Sequence, residues 1–165
     1  RLFIDHRMFY QNYIMNASMV VFRKNSRHPD KAYMNYRYVG DWLFWVGILL
    51  NGNTVYIDKQ LNLFRQHAGN TTATSFSSGN NYKEMGRLMT DICRIVQPPT
   101  GFKPYLYGYF FVHLRRHFKK MKYNPSIVKE IFDEWARNEN RTFSIIWYRI
   151  AKWLGLYKDK RPFRP

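Results

Sequence analysis

Gly40-Asp41-Trp42-Leu43-Phe44-Trp45-Val46-Gly47-Ile48-Leu49-Leu50-Asn51-Gly52-Asn53 is the stretch on which the fold turns. Asp41 is a residue that caps helices, the run Trp42–Leu50 is apolar, and Asn51-Gly52-Asn53 is a stop. The pattern predicts a helix of about three turns with Asp41 as its N-cap. Because the run is apolar on nearly all sides, that helix should be buried. Neither it nor the other long apolar run, Tyr105–Val112, approaches the roughly 20 residues of a membrane span.

Upstream, Tyr13-Ile14-Met15-Asn16-Ala17-Ser18-Met19-Val20-Val21-Phe22 has the β-branched and aromatic bias of a strand. Downstream, Thr54-Val55-Tyr56-Ile57 and Leu61-Asn62-Leu63-Phe64 read as short strands, and residues 68–81 as a polar loop. The period then changes. Met85, Leu88, Met89, Ile92, Cys93 and Val96 keep helical spacing up to Pro98-Pro99. Leu106, Phe110, Leu114, Phe118 and Met121 form a second stripe. Asn124-Pro125 opens a third helix, with Ile127, Val128, Ile131, Phe132 and Trp135 inward. Phe143, Ile146, Trp147, Ile150 and Leu154 form a fourth stripe, stopped at Gly155. The expected fold is α+β: short strands and one buried helix over residues 1–81, then a basic, mainly helical region over 82–165.

The chain has 165 residues with 27 Lys+Arg against 11 Asp+Glu, a net charge of +16. Its 45% hydrophobic content is enough for a core and excludes global disorder. The single cysteine, Cys93, cannot form an internal disulfide, which points to a reducing compartment. A chain opening on Arg1 without a signal-peptide pattern is expected to be a piece of a longer protein. G-x-S-x-G, G-x-G-x-x-G, C-x-x-C and D-x-D motifs are all absent from the sequence. His113 and His117 have metal-pair spacing, but Arg115, Arg116, Lys119 and Lys120 around them oppose a cation, so a solvated basic face is expected. Asp133-Glu134 falls on the polar side of a helix, and Cys93 in an apolar stripe reads as an inert thiol. The sequons at Asn16, Asn70 and Asn140 are expected to be fortuitous.

Two segments point to chemistry. Asp41 stands between a glycine and a buried helix, although a helix cap contributes about 0.5–2 kcal/mol with no catalytic role. Leu61–Phe64 delivers Arg65-Gln66-His67 into the loop Ala68-Gly69-Asn70-Thr71-Thr72; Arg forks onto phosphate oxygens, and His ligates metals or donates to phosphate. Taken in order, Asn16–Lys24, Gly40–Trp45 and Leu61–His67 resemble the back part of the catalytic domain of family 2 glycosyltransferases of the GT-A type.

The resemblance implies the C-terminal portion of such a domain over 1–81, a GT-A α/β remnant, followed by a helical extension. It implies that Asp41 is the base that deprotonates the acceptor hydroxyl, although Gly40 stands where the family has Glu. It also implies that Trp42, Arg65, His67 and Asn70 bind substrate, with His67 near a divalent Mg²⁺ or Mn²⁺. An Asp at a helix N-terminus should have its charged form favoured. The implied partners are a nucleotide-sugar donor and a glycan or lipid-linked acceptor in bacterial cell-surface polysaccharide synthesis. The expected setting is the cytoplasm, either free or peripheral to the inner face of the plasma membrane. Without the nucleotide-binding front, the chain alone is expected to be inactive, and its strand edges to be covered by self-association unless it folds mainly around its helices. Two other readings start from the charge: a nucleic-acid-binding module and a module on anionic membrane surfaces. Aromatics at core spacing, with no recognition motif, argue against nucleic acid.

Overall fold

The computed structural model describes residues 11–14, 16–23, 31–55, 57, 59, 61, 63 and 77–157. Their regular structure is helical: α1 (Gly40–Leu49), α2 (Asn80–Val96), α3 (Phe102–Lys120), α4 (Pro125–Asn138) and α5 (Arg141–Trp153). Two 3-10 turns, Ala17–Met19 and Lys31–Asn35, precede them. α3 packs along α5, α2 along α4, and α1 against α2 and the Lys31–Asn35 turn.

Local chemistry sets the helix ends. The Asn124 side chain accepts from Ser126 N at 2.9 Å with Pro125 in the first turn, and the Asn140 side chain accepts from Phe143 N at 2.9 Å. Each cap satisfies an amide that the helix leaves unpaired. Gln97, at φ 49°, turns the chain out of α2 just before Pro98-Pro99.

The core joins Leu88, Met89 and Ile92 of α2, Tyr105, Leu106, Tyr107 and Phe111 of α3, and Ile131 and Trp135 of α4. Trp135 is fully buried and donates from Nε1 to Tyr82 O at 2.7 Å. Its ring fills the space that a side chain at Gly86 would need: a Cβ there would lie 2.8 Å from the indole. Tyr107 closes the same junction, donating to Gly86 O at 2.6 Å and meeting Thr90 Oγ1 at 2.6 Å. Burial raises the Tyr107 phenol well above its ordinary pKa. Cys93, buried on this face, is pushed up to about 12 by desolvation, the signature of an inert thiol.

The expected α+β class is corrected: the described residues form no sheet. Asn16 accepts from Ser18 N at 3.1 Å and turns the presumed first strand into a 3-10 turn at Ala17–Met19. Beyond it Val21 is fully exposed, and Phe22 leans edge-on against Phe44 and Trp45. Val55 is a lone bridge residue, and Leu61 and Leu63 are 74% and 97% exposed with no strand assigned. Tyr56 and Phe64 lie outside the described residues. β-Propensity expresses packing against neighbours, and short strands without a sheet to join gain too little to form. The GT-A α/β remnant falls with the sheet.

The fourth stripe is also corrected, because α5 turns the other way. Ser144, Tyr148 and Ala151 are its buried residues, while Phe143, Ile146, Ile150 and Leu154 are 52%, 52%, 43% and 54% exposed. The cause is Gly108 on α3, where a Cβ would collide with the backbone carbonyl of Ser144 and crowd Tyr148. A glycine facing a small residue lets two helices approach to backbone distance, which larger apolar side chains on α5 would prevent. Trp147, at the edge, donates from Nε1 to Gly101 O at 2.7 Å. Gly108→Ala should therefore destabilise the fold by about 1–3 kcal/mol, despite alanine's better helix propensity. Thermal unfolding followed by circular dichroism should show a Tm several degrees lower; an unchanged Tm would contradict the close crossing.

Candidate functional site

The helix that carries Asp41 is built from its flanks. A Cβ at Gly40 would collide with the backbone carbonyl of Tyr33, so glycine lets the Lys31–Asn35 turn press onto the start of α1. Along α1, Trp42, Leu43, Trp45, Val46 and Gly47 are buried, and Phe44 meets Tyr33 edge-on at 5.3 Å. The helix is apolar all round and buried on most sides, as its sequence requires.

Asp41 is in the first turn of α1, two residues inside the expected N-cap position; the N-cap is Val39, which makes no side-chain cap bond. Its carboxylate instead accepts from Trp42 N at 2.8 Å. The residue is exposed as a whole, but its carboxyl lies against enough protein for desolvation to raise its pKa above the ordinary 3.8. The bonds from Trp42 N and from its own amide pull the other way and are the weaker influences. The helix N-terminus was expected to favour the charged form, and desolvation outweighs that help. Trp42 is 6% exposed, and among the described residues the buried indole N–H groups of Trp42 and Trp45 find no acceptor. Each such group costs about 1–3 kcal/mol.

A residue that sequence reading passed over fixes this helix to the rest. Glu84 of α2 is buried, and its carboxylate accepts from Arg37 N at 3.0 Å and Tyr38 N at 2.8 Å, immediately before α1. Alongside, Tyr36 donates to Asp91 at 2.6 Å and lies under the Arg87 guanidinium at 5.9 Å. Glu84 stands four residues before Leu88 and eight before Ile92. A carboxylate in register with that apolar stripe was the available signal.

Arg65, His67 and Asn70 lie outside the described residues. Among the described residues, no three His, Cys, Asp or Glu side chains come together as metal ligands, so they provide no seat for Mg²⁺ or Mn²⁺. His113 and His117 do separate jobs: His113 packs on Tyr109 at 4.2 Å between ring centres, and His117 Nε2 meets Tyr82 Oη at 3.0 Å. Among the described residues no helix is long and apolar enough to cross a membrane. The chain matches no protein-family profile, no curated protein and no solved structure.

The raised pKa of Asp41 has a measurable consequence. The folded state holds this proton more tightly than the unfolded chain, so the carboxylate's charge costs stability as pH climbs above 3.8 through the folded pKa. The Tm of Asp41→Asn, relative to wild type, should move in the variant's favour as pH rises from about 3 to 7. A Tm difference independent of pH would contradict a desolvated carboxyl.

Proposed function

We propose that the chain is part of a family 2 glycosyltransferase and that Asp41 is its catalytic base. The observation that supports this most is an exposed carboxylate, made more basic by desolvation, at the head of an otherwise buried helix. Such a group can take the acceptor's hydroxyl proton as that oxygen bonds to the anomeric carbon and the bond to the nucleoside diphosphate breaks. Arg65 and His67 would meet the negative charge that collects on the departing diphosphate. Asn70 and Trp42 complete the substrate-binding set that the resemblance implies, although Trp42 is buried in α1. Mg²⁺ or Mn²⁺ is assigned to the parent enzyme with His67 as a ligand. The donor is a nucleotide sugar, the acceptor a glycan or lipid-linked glycan of the bacterial cell surface, and the setting the cytoplasm. With no D-x-D motif or nucleotide-binding loop, the 165-residue chain is inactive by itself.

The test uses the full-length parent with a panel of nucleotide sugars and Mg²⁺ or Mn²⁺. Asp41→Asn should abolish most turnover, by about 10²–10⁴-fold, with donor binding retained. His67→Ala should weaken donor or metal binding. Normal turnover by both variants would leave Asp41 a structural residue of α1 and remove the proposal's basis.

A further inference from the structure

Charge on this molecule is unevenly placed. Apart from Glu84, which receives backbone amides, the carboxylates of α2 and α4 are engaged in ion pairs: Lys83 with Glu130, Arg87 and Arg137 with Glu134, Arg94 with Asp91, Lys129 with Asp133. α3 and α5 carry no Asp or Glu at all, yet Arg115, Arg116, Lys119 and Lys120 of α3 and Arg149 and Lys152 of α5 are exposed. Among the described residues none of these six cations has an ion-pair partner.

The same pair of helices presents apolar surface. Phe143, Ile146, Ile150 and Leu154 recur at three- and four-residue steps on the side of α5 away from Ser144, Tyr148 and Ala151. Trp153, 84% exposed, extends this face. It also borders a groove of about 420 Å³ between α3 and α5, lined on its basic side by His113, Arg116, Arg149 and Lys152. An apolar stripe with an exposed tryptophan, flanked by cations and lacking carboxylates, matches two features of a lipid interface at once. The stripe and Trp153 suit the acyl–headgroup boundary, and the cations suit the phosphates.

We infer that the outer face of α5, with the basic groove it shares with α3, lies on the surface of a bilayer containing anionic phospholipids. The stripe is short and lies along the helix, so contact is in the plane of the interface. A duplex nucleic acid would engage the cations but leave Ile146, Ile150 and Leu154 in water, so the stripe favours lipid. The inference is independent of glycosyl transfer, and its test contains no nucleotide sugar.

The purified chain is mixed with vesicles of phosphatidylglycerol and phosphatidylcholine in equal parts, and with phosphatidylcholine vesicles alone. Co-sedimentation and tryptophan emission are followed, with brominated lipid as a quencher. The chain should sediment with anionic vesicles only, with a blue-shifted emission that brominated lipid quenches. Trp153→Phe should keep binding and lose most of the shift. Arg149→Ser combined with Lys152→Ser should weaken partitioning by about tenfold. Ile150→Ser should weaken it several-fold at unchanged helical circular dichroism. The inference is overturned by equal binding to both vesicles, or by salt-sensitive binding that Ile150→Ser leaves intact with no change in Trp153 emission. Binding to duplex DNA without binding to vesicles would overturn it too, as would a lipid-free dimer in which Trp153 emission is already blue-shifted.

Discussion

The buried carboxylate of Glu84 is the interaction on which the placement of the Asp41 helix depends. It receives two backbone amides, Arg37 and Tyr38, at the point where the chain enters α1. Amides held by a carboxylate are charge-assisted bonds, stronger than neutral ones, and a buried carboxylate needs them to offset lost hydration. Glu84, Arg87 and Asp91 lie three and four residues apart, so one face of α2 grips Tyr36, Arg37 and Tyr38 in succession. α2 is itself seated on α4 through Gly86 and Trp135. The position of Asp41 thus rests on a path that begins in the aromatic core.

Small residues decide the rest of the packing. At Gly86 a bulky ring fills the space a side chain would take; at Gly108 a backbone does. The second contact sets which way α5 faces, and so which of its residues meet solvent. Placing Ser144 and Ala151 inward exposes Phe143, Ile146, Ile150 and Leu154. Apart from Glu84, the carboxylates of α2 and α4 are consumed in ion pairs, which leaves the basic excess on α3 and α5. Packing and charge together create the amphipathic outer face.

The helices were legible because their signals are local. Asn124-Pro125 and Gly155 mark real helix ends, and the stripe Leu88–Met89–Ile92 is the core face of α2. Asp41 at the start of a buried helix was also legible, two residues from the actual N-cap. The strands were not, since Tyr13–Phe22 has strand composition but finds no partner strand among the described residues, and Asn16 offers a competing turn. The face of α5 was misassigned because hydrophobicity counts Phe143 and Ile150 above Ser144 and Ala151. The close approach that reverses them depends on Gly108, 36 residues earlier in the chain. Glu84 escaped notice for a similar reason: its two partners are backbone amides, which sequence does not display. Arg65, His67 and Asn70 stay as the resemblance left them.

The most direct measurement is amide hydrogen exchange at Arg37 and Tyr38, in the wild type and in Glu84→Gln. If the buried carboxylate holds the entrance to α1, both amides are protected in the wild type, and at least one exchanges about ten times faster or more in the variant. Fast exchange at both amides in the wild type, or protection that Glu84→Gln leaves unchanged, would contradict the account.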